Sequence, residues 1–252
     1  MRCLIPLFVA ASCFTSAGAA HAQSTVLANE PNWTFSANLG VVSDYRFRGL
    51  MQTNGKPALQ GGFDIAHSSG FYIGNWNSSI SWLSDSAPDV SSNVEMDFYA
   101  GYVHTISDQF TLDAGLLHYY YPGRYPQGFN DPHTTEAYIG ITYGPVSFKY
   151  SHALTDLFGA PDSKYSQYYD LGLSLPTGIW DLNLNAHAGY QKVRNASDAS
   201  YADWSVGLSR DVGQFTVSLT YYDTNADRDL YTNNYDRHMG KGTVVLGLSA
   251  SF

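Results

Sequence analysis

The sequence predicts an all-β fold, a transmembrane antiparallel up-and-down β-barrel of twelve strands. Three observations carry this: period-two alternation of apolar and polar residues, segments of about ten residues, and connections that alternate between short and long.

The first segment, 33–48, puts Trp33, Phe35, Ala37, Leu39, Val41, Tyr45 and Phe47 on one face, with Ser43 its one exception, and Asp44, Arg46 and Arg48 on the other. Segment 58–66 sends Gly62 and Asp64 to the polar side. Segment 71–82 is read with Tyr72 and Trp82 on the apolar side. Segment 93–104 alternates Glu95, Asp97, Tyr99 and Gly101 against Tyr102, and 110–121 sets Asp113, Gly115, Tyr119 and Tyr121 against Phe110 and Tyr120.

Segment 134–143 carries Glu136, Tyr138 and Gly140 opposite Tyr143, and 146–153 carries Lys149. Segment 166–175 sets Tyr168, Asp170 and Gly172 against Tyr169, and 181–190 sets Asp181 and Gly189 against Tyr190. Then come 201–210 (Asp203, Gly207 against Trp204), 215–223 (Tyr222 against Phe215 and Tyr221) and 243–252 (Gly247 against Val244, Leu246, Leu248, Ala250 and Phe252). The short connections are 67–70, 105–109, 144–145, 176–180 and 211–214; the long ones are 49–57, 83–92, 122–133, 154–165, 191–200 and 224–242. Short periplasmic turns and long outer loops give this pattern, and an even strand count leaves both termini in the periplasm.

A soluble β-sandwich also alternates. Here, however, aromatics gather at segment ends on the apolar face, as two girdles at lipid interfaces would, while the other face carries charges in nearly every segment. A wet lumen tolerates those charges and a packed core does not. Beyond residue 22 no run of 18 apolar residues exists for a membrane helix.

Residues 1–22 read as a cleaved secretory signal: Arg2, an apolar core from Leu4 to Phe14, and the small-x-small site Ala20-His21-Ala22. The barrel domain is then 23–252, exported to the outer membrane of a Gram-negative bacterium. Both cysteines, Cys3 and Cys13, fall in the leader, so no disulfide or Cys metal site is expected. Lipidation at Cys13 is a competing reading, against which Ala10 stands where such signals usually carry Leu. Without Arg2 the chain has 12 basic and 22 acidic residues, which disfavours nucleic acid and leaves cationic or neutral solutes open.

The expected lumen holds Asp44, Asp64, Glu95, Asp97, Asp113, Glu136, Asp170, Asp181 and Asp203 against Arg46, Arg48 and Lys149, an excess of carboxylates that would concentrate cations. The alternative for each charge is bracing between neighbouring strands. Tyr99, Tyr121 and Tyr138 narrow the tube, and a simple turn at 105–109 would set Tyr99 against Gly115. Tyrosines in a pore either pack or stack on sugar-like solutes.

Catalytic readings are weak. His67-Ser68-Ser69 has His-x-Ser spacing but falls in a turn, and His118 and His152 have no evident Ser and acid partners. The loop Asp223 to Lys241 fits no calcium pattern, no nucleotide or metalloprotease motif occurs, and no cofactor or metal is expected.

The run Ser43-Asp44-Tyr45-Arg46-Phe47-Arg48-Gly49-Leu50, then Gln52 to Ala58, Gln60 to Asp64, and His67 to Gly74 with Trp76, resembles the TorF family, porins grouped mainly by likeness. The likeness continues more weakly through Thr135 to Tyr138 and Ser166 to Gly172. It implies an outer-membrane barrel with pore activity and transfers no ligand residues. It singles out Asp44, Arg46 and Arg48: with Arg46 expected near Gln60, they form either a constriction at the outer mouth or an anchor for the first loop.

The expected function is a narrow, mildly cation-favouring channel for passive diffusion of small hydrophilic solutes. Its partners are outer-membrane lipids and the barrel-assembly machinery, which would read the last strand ending in Phe252. The alternatives are a closed structural or adhesive barrel and, third, a lipid hydrolase.

Overall fold

A computed structural model describes residues 32–87 and 89–252. The leader expected at 1–22, its cysteines and the start of the mature chain at Gln23 lie outside the described residues.

Twelve strands close into one antiparallel barrel. In chain order the elements are β1 (Trp33–Val42), a small hairpin β2 (Arg46–Phe47) and β3 (Leu50–Met51), β4 (Ala58–His67), β5 (Phe71–Ser79), the short helix α1 (Trp82–Ser86), β6 (Val94–Ser107) and β7 (Phe110–Tyr120). They continue with β8 (Thr134–Tyr143), β9 (Val146–Ala153), β10 (Gln167–Pro176), β11 (Asn183–Lys192), β12 (Tyr201–Val212), β13 (Phe215–Thr224) and β14 (Thr243–Ser251). All but β2 and β3 belong to the barrel, so the expected strand number and up-and-down order hold.

Each strand pairs with its chain neighbours, and β1 closes the ring on β14 with Leu39 opposite Ala250. The seam runs to the terminal residue: Phe252 and Ala37 exchange backbone hydrogen bonds of 2.8 and 3.0 Å. Closure leaves no edge strand with unpaired amides.

Outward positions are apolar and exposed, among them Leu39, Ile73, Leu116, Ile139, Leu171, Val206, Leu219 and Leu246. The largest cluster of buried apolar side chains lies instead inside the barrel at its loop end, where Tyr45, Trp76, Ile80, Leu83, Leu117, Tyr119 and Tyr121 meet.

Four local expectations are corrected. The alternation of 33–48 is not one strand: β1 ends at Val42, after which Leu246 and Ser43 bond through the Leu246 carbonyl and the Ser43 hydroxyl, and the chain turns into the lumen. Tyr45 and Phe47 therefore leave the outer girdle for the interior, and Arg46 is not beside Gln60, which pairs with Gly40 and Ser78. In β5, Phe71 and Ile73 face outward while Tyr72, Gly74 and Trp76 face inward; Trp82 belongs to α1 and packs on the interior cluster. Three consecutive apolar residues, Phe71 to Ile73, hide that parity.

The β6–β7 turn is shorter than expected, only Asp108-Gln109 with Ser107 opposite Phe110, and a bulge between Thr105 and Ser107 takes back one residue of that shift, so Gly101, not Tyr99, stands opposite Gly115. Finally, Asp181 precedes β11 in a turn with left-handed φ of 55°, and its side chain is 91 % exposed, 3.7 Å from Arg210.

The expected packing of tyrosine over inward glycine is present with other partners. Tyr99 lies on Gly74, Tyr72 on Gly101, Tyr138 on Gly115 and Tyr168 on Gly189. A Cβ at Gly115 would stand 2.5 Å from the Ala100 carbonyl and from the Tyr138 hydroxyl. Gly115→Val should therefore cost ~1–3 kcal/mol through displaced backbone and ring. Urea unfolding of the refolded barrel measures it, and an unchanged midpoint would show that Tyr138 does not depend on that space.

Candidate functional site

The hairpin formed by residues 43–57 determines what the lumen can do. It leaves the wall after β1 and returns at β4, with Val42 paired to Ala58 across its base. Its own fold is fixed by side chains: Asp44 accepts from the Arg46 guanidinium at 2.6 Å and from the Thr53 hydroxyl at 3.2 Å, and Thr53 Oγ1 accepts the Tyr45 amide. Arg46 also donates to the carbonyls of Met239 and Lys241, tying the hairpin to the β13–β14 loop. Of the two expectations for this cluster, Asp44 and Arg46 fit the anchor.

Arg48 is the hairpin's tip. It and Gly49 take left-handed φ of 47° and 76°, which turns the chain back on itself. The guanidinium donates to Glu136 Oε2 on β8 at 2.7 Å and to Gln191 Oε1 on β11 at 2.6 Å, and sits 4.2 Å from the Tyr168 ring centre on β10. Strand β9 lies half-way round the ring from β1. Arg48 thus reaches the far wall and clamps both sides of it.

Other contacts fill the circumference. Tyr45 packs on Trp76 of β5 and donates to Glu95 of β6 at 2.6 Å, and Phe47 packs on Tyr119 of β7. Gly49 lies against Asp203 of β12 and Thr224 of β13, where an added Cβ would overlap both side chains. At this level the lumen is occupied by the chain itself.

The buried charges are arranged around that insertion. Glu95 accepts from the Tyr45 and Tyr121 hydroxyls, at 2.6 and 2.8 Å, and Asp97 lies close enough to interact with Glu95, Glu136 and Arg48. Burial lowers the Arg48 pKa, but Glu136 outweighs it and holds the guanidinium above its ordinary value, so it stays charged. Burial first, and Glu95 next, push the Tyr45 phenol well up, so it serves as a neutral donor.

A second group lies beside the clamp. His187 Nδ1 faces Asp170 at 3.1 Å and Nε2 faces Asp203 at 2.7 Å, while Tyr168 donates to Asp203 at 3.0 Å. Only the doubly protonated ring satisfies both carboxylates at once. His187 was overlooked in the sequence, although its parity with Gly189 places it inward.

Toward the turn end the lumen is lined by Asp64, which accepts from Tyr99 at 2.6 Å, and by Asp113, which accepts from Tyr72 at 2.7 Å. Tyr72 and Tyr138 also share a hydroxyl contact, and Lys149 lies over the Tyr138 ring at 5.6 Å. Asp64, Asp113 and Lys149 are only part-buried, unlike Glu95, Asp97 and Glu136. Of the expected site residues, Asp181 alone is outside the barrel interior.

At the loop end, a cavity of about 240 Å³ is walled by Trp82, Phe129, Pro132 and Phe158 from three loops. His67 Nδ1 and Ser69 Oγ lie 2.7 Å apart, but in the β4–β5 turn, where His67 also accepts the Ser69 amide and packs at a tilt against Trp33. His118 bonds Thr135 and His152 bonds Tyr150. Among the described residues no group of three His, Cys, Asp or Glu side chains is placed to hold a metal.

The family described as "Bacterial protein of unknown function (Gcw_chp)" matches residues 27–252, and the chain belongs to it. No curated protein matches it in sequence. Among solved structures it is similar to a KdgM porin in complex with disordered oligogalacturonate (TM-score 0.52, 9 % identity, 87 % of this chain and 99 % of that one). It is also similar to the NanC porin (TM-score 0.52, 12 % identity, 86 % and 99 %). At these identities the likeness is one of fold, a porin-like barrel.

Arg48→Ala would leave Glu136 buried without its cation, a loss of ~3–5 kcal/mol for a broken interior pair. The expected result is fast hydrogen exchange confined to 43–57. In an Arg48→Ala, Glu136→Gln double variant the stability loss should be less than the sum of the single losses. Unchanged exchange in Arg48→Ala would show that the hairpin is held by its aromatic contacts alone.

Proposed function

We propose that this Gcw_chp protein is an outer-membrane channel for passive diffusion of small hydrophilic solutes, narrow because its first loop folds into the lumen. The observation that carries the reading is the two-faced wall. A closed barrel with exposed Leu, Ile, Val and aromatic side chains outside and carboxylates, amides and hydroxyls inside suits lipid around an aqueous path. The porin-like fold supports it. That the KdgM porin was captured with an oligogalacturonate is consistent with a polar solute but does not name this one.

In this placement the short turns face the periplasm, the long loops face outside, and the leader at 1–22 directs export. The strand ending in Phe252 is the segment that the assembly machinery would read. Nothing in the site calls for bond chemistry: its histidines and serines lack a nucleophile–base–acid order.

Selection would be steric at the hairpin and electrostatic below it. Asp64 and Asp113 are the carboxylates best placed to meet solute, while Glu95, Asp97, Glu136 and Asp203 are engaged with the hairpin and its supports. The acid excess lowers the barrier to cations.

The hairpin's reach to the far wall specifically favours a second reading, a closed barrel that acts through its loops. A planar-bilayer recording separates the two. The intact protein should give small steps, and replacing 44–56 by a short Gly-Ser turn between Ser43 and Pro57 should raise conductance several-fold, because Val42 and Ala58 remain paired. A folded but silent hairpin-free barrel would discard the channel.

Selectivity gives a separate check. In a salt gradient, Asp64→Asn with Asp113→Asn should move the reversal potential toward zero; an unmoved potential would remove these two carboxylates from the selection mechanism.

A further inference from the structure

We propose that the outer surface of β9, β10 and β11 carries a binding site for the phosphorylated headgroup of an acylated glycolipid of the outer leaflet. The site rests on the membrane placement above but not on whether the lumen conducts.

The register of the three strands builds it. Tyr150, Tyr169 and Tyr190 stand side by side on the outer face, the first two with ring centres 5.3 Å apart. Toward the turn end the rows below them are Phe148, Leu171 and Ala188, then Val146, Leu173 and Ala186, which suit acyl chains. A tyrosine row above an apolar band marks the lipid interface.

Two residues farther along each strand toward the loops, ~7 Å by strand rise, the row changes character to His152, Gln167 and Lys192. The tyrosines point toward it: Tyr150 Oη meets His152 Nδ1 at 2.9 Å and Tyr169 Oη donates to Gln167 at 2.8 Å.

Above that row Tyr165, 43 % exposed and held at a left-handed φ of 72°, gathers two cations: Lys164 Nζ lies 4.9 Å and Arg194 Cζ 5.4 Å from its ring centre. Its ring also stacks on His152. Lys164, Lys192 and Arg194 are all exposed, and among the described residues none forms an ion pair with a carboxylate. The loop also carries two acids: Asp156 accepts the Lys164 backbone amide, and Asp162, whose backbone carbonyl accepts from Asn195, forms no ion pair with these cations among the described residues.

This chain has few bases, and Arg46 and Arg48 are spent inside it. Two cations on one aromatic ring and a third, Lys192, in the row between that ring and an interfacial tyrosine belt match a ligand whose phosphates sit at headgroup height and whose chains lie below. The rim is not uniformly basic, since β13 carries Asp223 near its loop end. A free anion would gain nothing from the tyrosine and apolar rows.

The test is native mass spectrometry of the full-length barrel purified from outer membranes in mild detergent, and again after refolding with added lipid A. Wild type should hold one phosphorylated glycolipid. Lys164→Gln, Lys192→Gln and Arg194→Gln together should cut retention about tenfold or more, as expected for three cations at an anionic surface. A control with Lys56→Gln, Arg124→Gln and Arg228→Gln, an equal charge change on other loops, should retain it. Dephosphorylated lipid A should fail to compete.

Equal retention by the first variant, equal loss in the control, or equal binding of the dephosphorylated lipid would each overturn the site. Displacement by inorganic phosphate alone would assign it to free anions and overturn the lipid reading. A barrel that is silent in the bilayer yet holds the lipid would count against the channel and leave this site standing.

Discussion

A ring of twelve paired strands encloses more space than its inward side chains can close, and the chain must either flood that space or fill it. Here the loop-end half is filled by residues 43–57, and the rest of the interior is arranged around that choice. Arg48 has to cross the lumen to reach a counter-charge, so Glu136 and Gln191 stand on the far wall. Gly49 has to be glycine-like in both φ and volume, because Asp203 and Thr224 close around it.

The wall meets the same demand with a repeated unit, a tyrosine hydroxyl donating to a carboxylate. Tyr45 and Tyr121 serve Glu95, Tyr99 serves Asp64, Tyr72 serves Asp113 and Tyr168 serves Asp203. Tyr99, Tyr72 and Tyr168 each reach a carboxylate two strands away, and the ring lies flat where the strand between offers glycine, at Gly74, Gly101 and Gly189. These pairs satisfy buried charge without a base for every acid. That is how an acidic interior with few cations remains folded.

Strand number, order and most inward residues were legible in the sequence because period-two alternation reports each strand's own two faces. What was not legible depends on relations between segments. Asp44 to Arg48 resume the alternation of β1 after Ser43, the one polar residue on its apolar face, so the turn inward there is marked only weakly. The clue was length, since that segment exceeds what a tilted strand needs. The two-residue turn at Asp108-Gln109 and the bulge at Thr105 to Ser107 are likewise two-strand properties, and together they set Gly101 rather than Tyr99 opposite Gly115. Tyr72 was misplaced because Phe71 and Ile73 are equally apolar, and only pairing with β4 and β6 decides which faces lipid.

The energetics of the clamp bear on what the hairpin is for. A buried Arg–Glu pair contributes little net stability, since desolvating both groups offsets most of their attraction, yet breaking it from one side is costly. Arg48 and Glu136 therefore specify where the hairpin sits more than they add to the stability of the barrel. The wall stands without them, being hydrogen-bonded all round through strands that residues 43–57 do not join. An insertion fixed by polar contacts, and hinged at the paired Val42 and Ala58, is separable from the wall that holds it. The free width of the lumen can then change through residues 43–57 while all twelve strands keep their register.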